Sequence, residues 1–446
     1  MYHYIRYITA IVLLYLFTAF AADAQDRFRT EIFREDVKSL EIKVEGETVS
    51  NPCVELNGNQ KIEIVFDALH RVSGRFAYTV VHCDADWKPS SLIPVEYMRG
   101  YQNAAIEDFA NSFNTTVNYT NFILTFPNLD VRLLVSGNYA VKIFDEDFPR
   151  DIALIACFSV VEPIVEIDAN VSGNTDIDFN REHQQVNFTV NYSNLNVTFP
   201  QNELKTVVYQ NNNQNDIREN ITPQRIMNNR MIFEHDRNLI FEAGNEYRRF
   251  EFLSARYNGM GVEDVQYFRP YYNVTLFENA VRAGKSYLYD QDQNGRFFAN
   301  CSRCEDPPTE ADYYIVHFSL ASDWLEGGDV YLFGDIFNNL QNARSRMEYN
   351  QETGKYEKAV MLKQGLYNYQ YVFVDAATQT RSLSRLEGNF FETENEYTIA
   401  VYHRPPGARY DRLVGLKTVS SNHAMMTAAP FILKPKCKID TALRPR

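Results

Sequence analysis

Tryptophan and cysteine are both scarce in this chain of 446 residues, which contains two tryptophans and six cysteines. Six cysteines are too few for a fold that relies on disulfide bonds in place of a hydrophobic core. Several catalytic signatures are missing too: the sequence has no Gly-x-Ser-x-Gly elbow, phosphate-binding loop, dinucleotide fingerprint or His-Glu-x-x-His motif. These absences exclude a disulfide scaffold and favour a binding or structural role over an enzyme, with no cofactor expected.

Positive charge is also in short supply. The 44 Lys and Arg residues are outnumbered by 58 Asp and Glu residues, which gives a net charge of −14. An acidic surface repels nucleic acids and anionic lipids, so neither is expected as a partner. The balance suits a soluble protein that binds other proteins.

Long apolar runs are confined to the first two dozen residues. A short basic start with Arg6 leads into an apolar run from Ile8 to about Ala22. The triplet Ala22-Asp23-Ala24 follows, and cleavage is predicted before Gln25. The alternative, an uncleaved membrane anchor, is disfavoured because the run is shorter than the roughly 20 residues that a bilayer requires. No cysteine stands at the cleavage site, so a lipid anchor is not expected. We therefore predict a signal peptide over residues 1–24 and an exported, periplasmic protein.

Aromatic residues are abundant, with 29 Tyr and 31 Phe, and they favour β-strands. Apolar and polar residues alternate in many short runs, for example Lys61–Phe66 and Arg75–His82, and turn residues such as Ser136-Gly137 separate these runs. We therefore predict an all-β fold of three consecutive immunoglobulin-like or early-set β-sandwich domains with few short helices. One such helix is expected at Ala105–Ser112.

Two breaks in the alternation suggest domain boundaries. The first is Glu162-Pro163, and the second is the proline-rich and acidic linker between Cys301 and Asp312. Periodicity is lost after about Asn422. The predicted division is a signal peptide at 1–24, an N-terminal domain at 25–162, a middle domain and linker at 163–308, a C-terminal early-set domain at 309–421 and a disordered tail at 422–446.

The nearest match to a metal motif is the segment Asp290–Gly295, which has the Asp-x-Asp-x-Asn-Gly pattern of a calcium loop. Its candidate ligands are Asp290, Asp292 and Asn294. The twelfth position should be a bidentate Glu but is Cys301. Because Asn-Gly is the preferred pair for a type I′ turn, we favour a hairpin between two strands over a metal site.

Two other segments contain reactive residue types. Cys301-Ser302-Arg303-Cys304 has the spacing of a zinc or redox pair, but no second pair completes a zinc site, which leaves a small local disulfide as the preferred interpretation. The segment His82–Trp87 places His82, Asp84 and Asp86 on one side of a strand end. A metal-dependent hydrolase is one interpretation of it. A buried corner anchored by Trp87, with the Asp residues capping turn amides, is the interpretation that we favour.

Several of these segments together resemble the plug protein family of the type IX secretion system of Bacteroidota. The similarity extends from about Phe28 to Ser421, and each of its motifs is weak when taken alone. The motifs are His82-Cys83-Asp84-Ala85-Asp86-Trp87, Ser112-Phe113-Asn114-Thr115, Phe126-Pro127-Asn128, Ser136-Gly137-Asn138-Tyr139, Phe268-Arg269-Pro270-Tyr271, Asp292-Gln293-Asn294-Gly295, Glu387-Gly388-Asn389-Phe390, Arg404-Pro405-Pro406-Gly407 and Arg409-Tyr410-Asp411-Arg412-Leu413.

The resemblance implies a non-enzymatic periplasmic protein that docks on the outer-membrane translocon barrel and seals it when no substrate is exported. The polar tract Gln210–Asn215, expected at the surface by its composition, is a candidate for a wet and reversible interface. The C-terminal domain also resembles early-set modules that bind glycogen or starch through exposed tryptophans. A glycan-binding protein acting through this domain is thus the alternative, although the stretch after Gly334 has no tryptophan and Trp324 lies before the strand.

Overall fold

The computed structural model describes residues 27–48, 50–70 and 75–421. The predicted signal peptide at 1–24 and the predicted tail at 422–446 lie outside the described residues. Strands dominate the described part, in which the α-helices are only four residues long. No helix there is long and apolar enough to cross a membrane. The prediction of an all-β fold with several sandwich domains and few short helices is confirmed. The helices are α1 Pro94–Tyr97, α2 Pro200–Glu203 and α3 Pro307–Glu310, and the 3₁₀ turns are Arg237–Leu239 and Asp335–Phe337.

The first domain is a sandwich of two sheets that ends at residue 162. One sheet has the order β1-β12-β11-β5-β7 with β3 beside β12, the other has the order β2-β4-β9-β8, and β6 pairs with β10. The helix predicted at Ala105–Ser112 is wrong, because this segment supplies the edge strands β7 and β8. The strands are β1 Glu31–Ile32, β2 Val37–Val44, β3 Cys53–Glu55, β4 Ile62–Leu69, β5 Phe76–Cys83, β6 Met98–Gly100, β7 Ala104–Ala105, β8 Phe109–Asn111, β9 Tyr119–Phe126, β10 Val131–Leu133, β11 Gly137–Asp145 and β12 Phe148–Val161.

The core of this domain consists of the apolar residues that alternate with polar ones along the strands. In β4, Ile62, Ile64 and Phe66 are fully buried between the sheets. The ring of Phe66 lies 5.3 Å from that of Phe76 and 5.2 Å from that of Phe122. Each fully buried side chain of this kind contributes about 1.5–3 kcal/mol to folding.

The remaining strands form two further sandwiches. Their bounds are β13 Glu166–Ser172, β14 His183–Asn191, β15 Leu204–Gln210, β16 Ile217–Arg218, β17 Arg225–Met227, β18 Arg230–Phe233, β19 Ile240–Glu242, β20 Arg248–Phe252, β21 Val262–Phe268, β22 Tyr271–Leu276, β23 Asn279–Ala280, β24 Phe297–Ala299, β25 Tyr313–Ala321, β26 Gly328–Phe333, β27 Glu348–Asn350, β28 Lys355–Lys363, β29 Gly365–Asp375, β30 Arg381–Ser382, β31 Glu396–His403 and β32 Arg412–Ser420.

These strands do not follow the predicted boundary between 308 and 309. One sandwich combines the sheet β13-β14-β18-β17 with the sheet β16-β15-β31-β32, so the last two strands return to the domain that begins at residue 163. The other combines β20, β24, β26 and β30 around β29 with the sheet β21-β22-β25-β28-β27. We call residues 163–242 plus 396–421 the divided domain, and residues 243–395 the inserted domain.

The correction has a physical basis in the core and in the chain ends. Ile399 and Val401 from β31 pack in the same apolar cluster as Val186 and Phe188 from β14. The two ends of the inserted domain lie side by side, because the Asn395 side chain donates a hydrogen bond of 2.8 Å to the carbonyl oxygen of residue 243. Adjacent ends are what allow one domain to be inserted into another.

Candidate functional site: the joints between the domains

The predicted calcium-loop residues are held by neighbouring protein groups. Asn294 and Gly295 have φ values of +52° and +87°, as the type I′ turn requires, and the turn is confirmed. The predicted hairpin is wrong, because β24 pairs with β29 and residues 286–290 are not a strand. The carboxylate of Asp290 pairs with Arg249, and that of Asp292 accepts hydrogen bonds from the backbone N–H groups of Tyr247 and Asn294.

Burial raises the pKa of Asp292 to about 6. The side-chain oxygen of Asn294 has no hydrogen-bond partner among the described residues. Across the part of the chain that the structure describes, no group of three or more His, Cys, Asp or Glu side chains is arranged to hold a metal ion.

His82 is a buried structural residue in the first domain. Its Nε2 lies 3.1 Å from the carbonyl oxygen of Ser136 and its Nδ1 lies 2.8 Å from the hydroxyl oxygen of Ser90. The carbonyl can only accept, so Nε2 carries the proton and Nδ1 accepts from Ser90. Burial lowers the pKa of His82, which keeps the ring neutral. Both ring nitrogens are therefore occupied, and the interpretation as a buried corner is the one that the geometry supports.

The other residues of this segment have separate partners. Asp86 accepts a hydrogen bond from the backbone N–H of Lys88 at 3.2 Å, and Asp84 faces the divided domain. Trp87 is buried and packs beside Cys83 and Cys157. His82, Asp84 and Asp86 thus do not converge on one point, as a hydrolase site would need.

The first joint connects the first domain to the loop between β31 and β32. Arg404 lies 2.6 Å from Asp84 and 2.8 Å from Asp411, and Lys205 lies 3.0 Å from Asp411. Asp411 is buried and also accepts a hydrogen bond of 3.1 Å from the backbone N–H of Ala85. Two motifs that are more than 300 residues apart in sequence therefore meet in one ionic cluster.

The second joint connects the first domain to the inserted domain. Lys363 and Asp67 form an ion pair of 2.7 Å, and both side chains are almost completely buried. Asp67 also accepts hydrogen bonds from the hydroxyl of Tyr313 at 2.6 Å and from Asn121 at 2.7 Å. Since every charge here has a partner, the pair fixes the position of one domain on the other.

Asp312 makes a second set of contacts in the same joint. Its carboxylate accepts three hydrogen bonds from the first domain, from the backbone N–H groups of Thr116 and Val117 and from the hydroxyl of Thr116, at 2.7 to 3.1 Å. The hydroxyl of Tyr119 donates to the carbonyl of Ala311 at 2.7 Å.

The third joint connects the inserted domain to both others. Arg296 is buried; its Nη2 donates to Glu396 at 2.6 Å and to the side-chain oxygen of Asn51 at 3.0 Å. Within the tract Gln210–Asn215, Asn211 and Asn213 are buried and Asn215 is exposed, so the prediction of a surface loop is wrong for most of the tract. Asn211 is buried, and its side-chain amide donates to Asn395 at 2.8 Å.

The structure also shows the positions of the cysteines and of Trp324, the tryptophan considered for glycan binding. Cys301 and Cys304 form the local disulfide that was predicted. Of the other described cysteines, Cys53, Cys83 and Cys157 are free. Trp324 is 56% exposed, and its ring stacks on that of Tyr356 with centroids 6.2 Å apart.

Sequence reasoning missed Asp67, Lys363 and Arg296. The sequence does contain an indication for Asp67. It is the one charged residue in the buried half of the strand sequence Ile-Glu-Ile-Val-Phe-Asp-Ala-Leu, and a buried charge needs a partner that neutralises it. The identity of that partner, 296 positions away, leaves no local trace.

The fold and the joints together define the class of protein. It consists of three β-sandwich domains that are held to one another by buried charged residues. The family model described as "Type 9 secretion system plug protein 1st domain" matches residues 37–162. The crystal structure of a hypothetical protein from Parabacteroides merdae ATCC 43184 has 53% sequence identity and a TM-score of 0.87, and the match covers 89% of this chain and 100% of that chain. A search of the curated proteins finds no match.

The chain belongs to the type IX secretion system plug protein family. Membership gives it a role in type IX protein secretion and associates it with the secretion apparatus in the cell envelope.

Proposed function

We propose that this protein is a periplasmic plug that docks on the outer-membrane translocon of the type IX system and seals it. The observation that carries the proposal is the family match over residues 37–162. The joints support it, because a stopper must keep its shape against a large opening. The first joint, around Arg404, and the second, around Lys363, fasten the first domain to each of its neighbours.

The chemistry at the joints also supports a non-catalytic role. The polar clusters at Asp67, Asp411 and Arg296 connect domains to each other, and each consists of groups that neutralise one another. A catalytic site normally leaves a reactive group accessible to a substrate. This arrangement supports a mechanical role over an enzymatic one.

Co-purification tests the docking step. The tagged chain is expressed in its own host, the membranes are solubilised in mild detergent, and the retained proteins are identified. We expect a large outer-membrane barrel of the type IX system to be retained. Failure to retain it, with a stable and correctly exported chain, would refute the proposal.

A matched pair of variants tests the need for rigidity. Arg404→Ala removes the cation between Asp84 and Asp411 in the first joint. Arg346→Ala removes an exposed pair with Asp329 inside the inserted domain. We expect the envelope of cells with Arg404→Ala to admit a large antibiotic when export is idle, and that of cells with Arg346→Ala to stay closed. Equal permeability of the two strains would contradict a rigid plug.

A further inference from the structure

A cavity lies between the first domain and the inserted domain, next to the second joint: the hydroxyl of its wall residue Ser39 lies 2.7 Å from that of Tyr313. Its volume is about 420 Å³, and it is partly open to solvent. Lys38 enters it from β2, Lys358 from β28, and Arg344 from the loop before β27. The rest of the wall is mainly apolar and consists of Leu69, Ile336, Phe337, Ala343, Ala359, Val360, Met361 and Leu362, with Ser39 and Glu35 at its polar side.

None of the three cations has a carboxylate partner within ion-pair distance in residues 27–48, 50–70 and 75–421. Lys358 donates to the carbonyl oxygen of Ala343 at 3.0 Å, and Arg344 donates to that of Ile32 at 3.2 Å. The side chain of Lys38 makes neither a hydrogen bond nor an ion pair in this part of the chain. In a molecule with a net charge of −14, three converging and half-buried cations without counter-ions are an exception that calls for a partner.

The acidic groups around the cavity do not neutralise it. Glu35 is the carboxylate in its wall. Two further carboxylates act on these cations from a distance, and each has its own cation: Asp36 pairs with Arg34 at 2.6 Å, and Glu31 with Arg29 at 2.8 Å. Glu348 also acts on Lys358 but does not line the cavity. Three cations against one carboxylate leave a local surplus of about two positive charges, which is close to the charge of a phosphate monoester at neutral pH.

Burial, followed by the nearby charge of Arg344, lowers the pKa of Lys38 to about 8. Burial also lowers the pKa values of Arg344 and Lys358. A charged group whose ionised form is disfavoured by its surroundings gains the most from a bound counter-ion. The apolar wall adds a surface on which a hydrocarbon substituent can pack.

We propose that this cavity is a binding site for a phosphate group, held by Lys38, Arg344 and Lys358. Two sources share this chemistry: free inorganic phosphate, and a phosphate ester on an apolar chain whose hydrocarbon contacts Ile336 and Val360. This proposal does not rest on the proposed function.

Isothermal titration calorimetry of the intact mature protein tests the site with inorganic phosphate and with octyl phosphate. We expect saturable binding that weakens as the pH is raised through 8, where Lys38 loses its proton. An ester on an apolar chain is the source if octyl phosphate binds more tightly, by about fourfold for each methylene that becomes buried. Equal or tighter binding of inorganic phosphate identifies the free anion. Saturation by neither probe would overturn the proposal.

Variants at the cations locate the binding. Lys38→Met is expected to weaken binding at least tenfold, and Lys38→Met with Lys358→Met to abolish it. The side chain of Lys38 makes no hydrogen bond in the described part of the chain, so the first variant should fold, which its thermal unfolding checks. Lys61→Met, which removes an exposed lysine paired with Glu45 in the same domain, is the control and should bind like the parent. The same loss of affinity in Lys61→Met as in Lys38→Met would place the anion elsewhere and refute the site.

Discussion

A buried charge is stable only when its surroundings complete its hydrogen bonds, and Asp67 has three such partners. They come from the first domain (Asn121) and from the inserted domain (Tyr313 and Lys363). Removing one partner of such a pair leaves the other charge buried and uncompensated. The residues of the second joint are therefore expected to contribute more to stability than any exposed pair.

Lys363→Met should lower the free energy of unfolding by about 3–5 kcal/mol, because Asp67 loses its counter-ion in a buried site. Urea unfolding measures the change. The control is Lys355→Met at the other end of β28, which removes an exposed pair with Glu278 and should leave the free energy of unfolding almost unchanged. Equal losses in the two variants would show that the buried pair does not fasten the domains.

His82 predicts how stability depends on pH. Burial lowers the pKa of the folded His82 below its ordinary value of 6.5. As the pH falls below 6.5, the unfolded chain takes up a proton that the folded chain refuses, so stability falls. In His82→Gln this contribution is lost, and the fall in stability between pH 6.5 and pH 5 should be smaller. His317 and His403 also have pKa values lowered by burial, so part of the decrease in stability toward low pH should remain in this variant.

His235→Gln is the control for this measurement. Hydrogen bonding to Asp176 raises the pKa of the exposed His235, so its stabilisation is present at low pH and is lost as the pH rises through the folded pKa. Its removal should steepen the fall toward low pH, opposite to His82→Gln. A shallower slope in both variants would contradict the assignment.

At the scale of elements, β31 and β15 show what closes the divided domain. They pair along seven residues, from Leu204 opposite His403 to Gln210 opposite Tyr397. β32 pairs with β31, and β31 pairs with a strand almost 200 residues earlier in the chain. The divided domain is therefore incomplete until β31 and β32 have been made.

A chain that ends at residue 394 should fail to fold the divided domain. The cluster around Val186 and Phe188 would lose the side chains of β31 and β32, and the edge of β15 would be open. Hydrogen exchange should show protection in β4 and β9 but none in β14. A chain that ends at residue 421 is the control and should match the full chain. Protection of β14 in the shorter chain would support the consecutive order of domains that the sequence predicts.

Strand positions could be predicted because alternation is local, and the burial pattern of β4 follows it. The pairing of the strands could not be predicted, because any of the short apolar strands fits several neighbours. Their order along the chain therefore suggested a separate last domain. The helix predicted at Ala105–Ser112 failed for the same reason: pairing of Ala104–Ala105 with β5 is a tertiary effect. The turn at Asn294-Gly295 was predictable because φ is a property of the residues themselves.

For the candidate site, the segment His82–Trp87 could be singled out from its composition, but its role could not be decided. The partner of Asp84 is Arg404, and no residue near position 84 in the sequence indicates this pairing. The tract Gln210–Asn215 misled because polar composition is typical of surface loops, whereas here amides such as those of Asn211 and Asn395 satisfy each other inside a joint.

At the scale of the whole molecule, three domains meet through joints made of charges and amides rather than through flexible linkers. Removing the ion pairs of one joint should therefore allow the domains to move relative to one another without unfolding them. In Arg404→Ala, the distribution of distances between spin labels on β8 and β13 should become broader than in the parent, while the circular dichroism stays the same. Arg346→Ala should leave the distribution unchanged. An unchanged width in Arg404→Ala would show that the first joint is not needed for rigidity.

We propose that this chain closes the translocon of the type IX system, and ion conductance measures such closure directly. The purified translocon is inserted into a planar bilayer, and the protein is added to the periplasmic side. A plug should reduce the conductance of the open barrel to near zero as it binds, and the conductance should return when the protein is washed away. Binding with undiminished conductance would contradict the proposal.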